Sequence, residues 1–114
     1  ARSRAGQIAK MGYVVFVVDL FGKGNAPKDY KDAATKLNFA KDRKLALTRA
    51  QAGLSVTGKL PNADTKKVAV VGFGIGGSVA LDLTRHGGEL EGAVCVHGDL
   101  IPAPGGDPKK VGAS

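Results

Sequence analysis

The chain has 114 residues, 43% of them apolar, and a formal net charge of +7 from 17 basic and 10 acidic side chains. That length holds one small domain, and the apolar content excludes a natively disordered chain. One cysteine, Cys95, excludes an internal disulfide and a multi-thiolate metal site, which fits a reducing compartment and suggests the cytoplasm.

In chain order, residues 3–11 read as the last turns of a helix, with Ile8 and Met11 as its apolar contacts and Gly12 as its stop. Tyr13-Val-Val-Phe-Val-Val-Asp-Leu20 is a continuous β-branched run, the pattern of a strand buried on both faces. Turn residues Gly22, Gly24, Asn25 and Pro27 then mark a loop. A mostly helical stretch is expected from about Asp29 to Leu54, broken near Asn38, with Leu45, Leu47, Ala50 and Leu54 as its apolar stripe. Residues 55–66 form a connection. Lys67 to Phe73 is a second buried strand, residues 76–86 a helix stopped by Gly87-Gly88, and Gly92 to His97 a third strand. The segment from Ile101 to Ser114 reads as an irregular tail.

The order α-β-α-β-α-β predicts a parallel sheet with helical crossovers, an α/β fold in three layers. Three parallel strands make a thin sheet with two apolar edges. Natural domains rarely leave such edges bare, so residues 1–100 read as part of a larger domain whose edges could also drive self-association. No apolar run reaches the roughly 18 residues of a membrane-spanning helix, so no membrane contact is expected. The basic residues are interleaved with acids, and aromatic residues are few. Solvated helix faces account for them, and no specific nucleic-acid partner is expected.

Residues 68–78, Val-Ala-Val-Val-Gly-Phe-Gly-Ile-Gly-Gly-Ser, hold the chemistry-bearing pattern. A buried strand enters a glycine-dense turn, and a helix follows. As a nucleophile elbow, Gly-x-nucleophile-x-Gly, the turn spans Gly72 to Gly76 and puts Gly74 where the reactive side chain belongs. As a dinucleotide fingerprint, Gly-x-Gly-x-x-Gly, it matches Gly72, Gly74 and Gly77. Asp99, 22 residues beyond Gly77, then stands near the roughly 20-residue spacing of a ribose-binding acid. Both readings remain open on the turn alone.

The remaining strand ends add more. Gly12 to Gly24 (with Asp19-Leu-Phe-Gly-Lys-Gly), Asp42-Arg43, Arg49-Ala-Gln-Ala-Gly-Leu54, Lys67 to Phe73, Gly76 to Leu83 and Gly92 to Gly98 stand in one order and spacing. Together they resemble the dienelactone hydrolase family of α/β-hydrolases, and the resemblance covers nearly all of residues 6–103. It implies the central portion of a three-layer α/β-hydrolase fold, hydrolysis of small carboxylic esters or lactones, and no metal or organic cofactor. It also implies a Cys-His-Asp triad whose cysteine position falls on Gly74 and whose Asp and His would lie beyond Ser114. One oxyanion-hole donor would be the backbone N–H of Ile75. Lys23 falls where some members of the family place a basic residue near a substrate carboxylate, and His97 falls in the pocket lining.

Glycine cannot supply a thiolate or an alkoxide, so the chain is expected to be inactive by the family's mechanism. A non-catalytic scaffold or interaction protein, and a nucleotide-binding module using the turn at 72–77, are the alternatives. Among the other candidates, Cys95 is expected to be an inert mid-strand thiol and His86 a surface helix cap. Asp19 is expected to bond the following loop, and Asp82–Arg85 to form a surface pair of small worth.

Overall fold

The computed structural model of the protein describes residues 2–36 and 42–112. Its elements are helix α1 (Arg2–Ala9), helix α2 (Tyr30–Lys36), helix α3 (Arg43–Thr57), strand β1 (Ala69–Phe73), helix α4 (Ile75–Arg85), strand β2 (Gly92–Val96) and a 3-10 turn at Pro108–Lys110. Strands β1 and β2 pair in parallel, with Ala69 opposite Gly92 and Phe73 opposite Val96. Their β-branched valines favour the extended chain. Helix α4 supplies the crossover that a parallel pair requires. The fold is a truncated α/β unit, as the alternation of elements predicts.

The core lies between two helices and one face of the sheet. Ala46, Leu47 and Ala50 of α3 meet Val79 and Leu83 of α4 and Leu90, with Leu20, Leu54, Val68, Val70 and Ile75 packed around them. Helix α3 begins at Asp42, whose carboxylate accepts from the Leu45 N–H at 3.1 Å. Of its expected stripe, Leu47 and Ala50 are buried, whereas Leu45 stays exposed and Ala46 takes its place. The expected break near Asn38 lies outside the described residues.

The predicted strand at Tyr13–Leu20 differs. The segment is unpaired, and the sheet among the described residues has two strands. It is not buried on both faces either: Val15, Val18 and Leu20 are half-buried, while Tyr13, Val14, Phe16 and Val17 are exposed. A strand acquires two buried faces only when neighbours flank it, and no described strand lies beside this one. It is instead pressed against α3 at Gly53, where an added Cβ would sit 2.7 Å from Val18 Cγ2. Helix α1 ends at Ala9, short of the expected end at Met11; Gly12 follows a turn at φ +96°, and Met11 is exposed rather than a core contact.

The pair Asp82–Arg85 is not a surface pair. Asp82 is fully buried, and its carboxylate takes Arg43 of α3 through Nε (3.0 Å) and Nη2, together with the Ala103 N–H at 3.0 Å. Arg85 Nη1 stands farther away, at 3.5 Å. Residues 101–110 thereby pack back on α4: Ala103 is buried, and the Asp107 N–H donates to the Arg85 carbonyl at 2.8 Å. His86 joins this region too. Its Nδ1 lies 2.9 Å from the Asp82 carbonyl, and its Nε2 lies 3.2 Å from that of Pro104.

Candidate functional site

The site is assembled at the carboxyl end of the two strands, where α/β sheets place their ligands. Strand β1 ends at Phe73, Gly74 turns the chain with φ 56° and ψ −127°, and α4 starts at Ile75. This left-handed backbone suits glycine and strains other residues. The first bonds of α4 run to the Gly74 carbonyl, from Gly77 N–H at 2.9 Å and Ser78 N–H at 3.3 Å. The N–H groups of Ile75 and Gly76 precede them and sit at the positive end of the helix.

Glycines permit the tight strand-to-helix turn. A Cβ on Gly72 would overlap the Gly76 carbonyl, and one on Gly77 would lie 2.8 Å from Cys95 Sγ. Gly74 is different, because a Cβ there meets nothing within 4 Å. The position assigned to a nucleophile therefore opens onto free space.

Strand β2 brings His97 to the same end. The Gly74 N–H donates to the Val96 carbonyl at 2.8 Å, so His97 follows directly on the residue bonded to the turn. His97 is exposed and has φ +56°, a strained value for a side-chain-bearing residue. Its loop is fastened to α4 by Ser78, whose hydroxyl accepts from the Asp99 N–H at 2.7 Å. The Asp99 carboxylate accepts from the Ile101 N–H at 2.8 Å, a local turn.

Gly74, Ile75 and His97 are thus gathered at one end. Lys23 is exposed in the loop after the extended segment, and no described contact joins it to them. That loop is fixed by Asp19, whose Oδ1 accepts from the N–H groups of Phe21 and Gly22 at 2.9 and 3.1 Å, as expected. An open depression of about 250 Å³ beside it is lined by Phe21, Asn25, Lys36, Leu45 and Arg49. Neither Gly74 nor His97 borders it. Cys95 is half-buried against Gly77 and Gly98, on the α4 side of the sheet.

Two contributors escape sequence reasoning. Arg4 of α1 lies with its guanidinium carbon 4.1 Å from the centroid of Phe73, the residue before the turn. Nothing local to a basic, exposed helix announces that partner. Ser78 reads as an ordinary helix residue, although its place in the Gly-Gly-Ser start of α4 puts it beside the strand ends. Among the described residues, no cluster of three or more His, Cys, Asp or Glu side chains is arranged to hold a metal. No helix among them is long and apolar enough to cross a membrane.

A parallel β-α-β unit with a glycine turn at the strand's carboxyl end places the chain among α/β proteins that build their sites at strand ends. The model of the dienelactone hydrolase family matches residues 2–113, and the chain belongs to that family. It is similar to the crystal structure of a dienelactone hydrolase-like promiscuous phosphotriesterase from metagenomic libraries, with 32% identity and a TM-score of 0.84. The match covers 99% of this chain and 47% of that one, so the chain spans about half the length of its structural neighbour. No curated protein sequence matches.

Proposed function

We propose that these residues are the nucleophile-elbow portion of a carboxylic-ester or lactone hydrolase, and that with Gly74 they do not turn over esters on their own. The observation that carries the reading is the backbone of Gly74. It holds a left-handed turn between β1 and α4 that would strain any other residue, opens onto free space, and presents no side chain. In acyl transfer, an elbow nucleophile attacks the carbonyl carbon as a base takes its proton, the tetrahedral oxyanion collapses as the base returns that proton to the departing alcohol, and water then releases the acyl group as the acid. The Ile75 N–H at the helix start is suited to that oxyanion. His97 would line the acyl pocket, and Lys23 would meet an anionic substrate group. The neighbour's phosphotriesterase activity extends the electrophiles worth testing to phosphotriesters.

The test is hydrolysis of p-nitrophenyl acetate, dihydrocoumarin and p-nitrophenyl diethyl phosphate by the purified 114-residue protein. The expected rates equal buffer. Saturable turnover abolished by Ile75→Pro, which removes the N–H, would refute the inactive reading.

A scaffold role is favoured by the open sheet face, where Val71, Phe73 and Val94 remain 40–51% exposed. In that reading the fold is kept for contact rather than chemistry, and equilibrium sedimentation decides it. The nucleotide reading keeps its glycine turn, but it must share Asp99 with the Ile101 N–H. Titration with NAD addresses it.

A further inference from the structure

We infer that residues 101–110 form a strap whose grip on α4 is set by the charge of His86, firm while the imidazole carries two protons and loosened when it loses one. The inference does not depend on the reading of Gly74.

The ring is held between two acceptors. Nδ1 lies 2.9 Å from the Asp82 carbonyl, one turn back on α4, and Nε2 lies 3.2 Å from the Pro104 carbonyl on the strap. A carbonyl oxygen can only accept, so each contact needs an N–H on the ring. Neutral imidazole has one N–H and one bare nitrogen, whereas the imidazolium has two N–H groups. In the neutral ring one carbonyl therefore faces a lone pair, and the tautomer decides only which one.

The strap lies close over the ring. Gly105 turns at φ +85°, and a Cβ on Gly106 would sit 3.4 Å from His86 Cε1. Pro104 stands between two other anchors, the Ala103 N–H on the Asp82 carboxylate at 3.0 Å and the Asp107 N–H on the Arg85 carbonyl at 2.8 Å. Among these anchoring groups, His86 alone is of the side-chain type that changes charge between about pH 5 and 8. It is half-buried, so water can exchange its proton.

The charges around His86 come from three elements. Its own helix supplies Asp82 and Arg85, and α3 supplies Arg43, whose guanidinium sits on the Asp82 carboxylate. The strap supplies Asp107, whose carboxylate accepts from the Lys109 N–H at 3.0 Å, together with Lys109 and Lys110. The Lys110 side chain lies beside Gly87. Strands β1 and β2, which also pack on α4, carry no charged side chain, and Cys95 lies against Gly77 at the other end of the helix. Exposed Glu89 follows the helix. The arginines and lysines oppose another positive charge. The two carbonyls at the ring and the negative end of the α4 dipole favour it.

Loss of one ring proton thus releases the strap at Pro104. The stretch between Ala103 and Asp107 loosens, while Arg85 still donates to the Leu100 carbonyl at 3.1 Å and Arg43 to that of Ile101 at 3.4 Å. The loop that carries His97 stays in place.

The experiment is amide exchange of the 114-residue protein by NMR, expressed as protection relative to the free peptide so that the intrinsic pH dependence is removed. Between about pH 5.5 and about pH 8, protection at Ala103 and Asp107 is expected to fall at least about tenfold, the size of one charged hydrogen bond. Protection of Glu91 and Gly74, which bond across the two strands, should hold. In His86→Gln the side chain cannot gain a proton, and the strap amides should be equally protected at both pH values. Nitrogen-15 shifts of the His86 ring in the unaltered protein give a second measure: the loss of strap protection should share its midpoint with the loss of a ring proton from His86. Constant protection at Ala103 and Asp107, the same fall in His86→Gln, or a midpoint that follows the His97 ring instead would each overturn the inference.

Discussion

Asp82→Ala is the most informative stability test, because the charge pattern and the structure give it different magnitudes. An Asp and an Arg three residues apart on an exposed helix contribute about 0.3–0.5 kcal/mol. In the structure Asp82 is fully buried, receives Arg43 through two nitrogens, and accepts from the Ala103 N–H at 3.0 Å. Removing it leaves the Arg43 side chain, only 17% exposed, without its carboxylate and leaves a buried N–H unpaired. Breaking a buried pair costs about 3–5 kcal/mol. With a urea m-value of about 1.5 kcal/mol/M, the unfolding midpoint should fall by about 2–3 M, or the folded baseline should vanish. Replacing both partners, Arg43→Met with Asp82→Leu, should recover only part of the loss, since Arg43 is then no longer stranded but Arg85 and the Ala103 N–H still lose the carboxylate. Urea unfolding followed by circular dichroism measures all of this. A loss below about 1 kcal/mol for Asp82→Ala would refute the buried-clamp reasoning and restore the surface-pair value.

Other outcomes follow from the glycines and from one carboxylate. Gly72→Ala should cost more than about 3 kcal/mol, because its Cβ would overlap the Gly76 carbonyl and backbone cannot yield cheaply. Gly76→Ala, with open space at its Cβ, should be neutral or gain up to about 1 kcal/mol from helix propensity. Thermal melts of the two variants compare them directly. Gly74→Cys should fold with a loss of about 1–3 kcal/mol from its left-handed backbone, and its thiol should react with Ellman's reagent faster than Cys95. The Lys28 N–H, and then the Lys36 ammonium at 3.0 Å, hold the Asp32 carboxyl below its ordinary value of 3.8. A depressed carboxyl contributes stability above that ordinary value and loses it as pH falls through the lower, folded-state value. The helix signal of α2 should therefore weaken only under acid conditions, and an NMR titration of Asp32 reads the midpoint.

Much of the framework was legible in the sequence because it is local. Valines flanking a glycine turn marked β1, and Gly92 to Val96 showed the same β-branched signature for β2. The Gly87-Gly88 stop framed its helix, and Asp19 bonded its own loop as a short carboxylate after a strand end does. What escaped is what depends on distant partners. The composition of Tyr13–Leu20 is that of a buried strand, but burial is conferred by neighbours, and no described strand flanks it. Asp82 carried no sign of burial, because its enclosing residues, Arg43 and Ala103, come from other parts of the chain. The turn at Gly74 was legible as a position. The stacking of Arg4 on Phe73 was not, since 69 residues separate them.

Helix α4 has a consequence for how the molecule opens. It touches β1, β2, α3 and the 3-10 turn, and through Ser78, Asp82 and Arg85 it also ties down residues 99, 103 and 107. Helices α1 and α2 contain no buried residue. Unfolding is thus graded by attachment: α1 and α2 can fray alone, whereas opening α4 dissolves the sheet, the core and the carboxyl-terminal segment in one event. The strand ends that carry Gly74 and His97 belong to that last unit, so the candidate site persists for as long as the fold does.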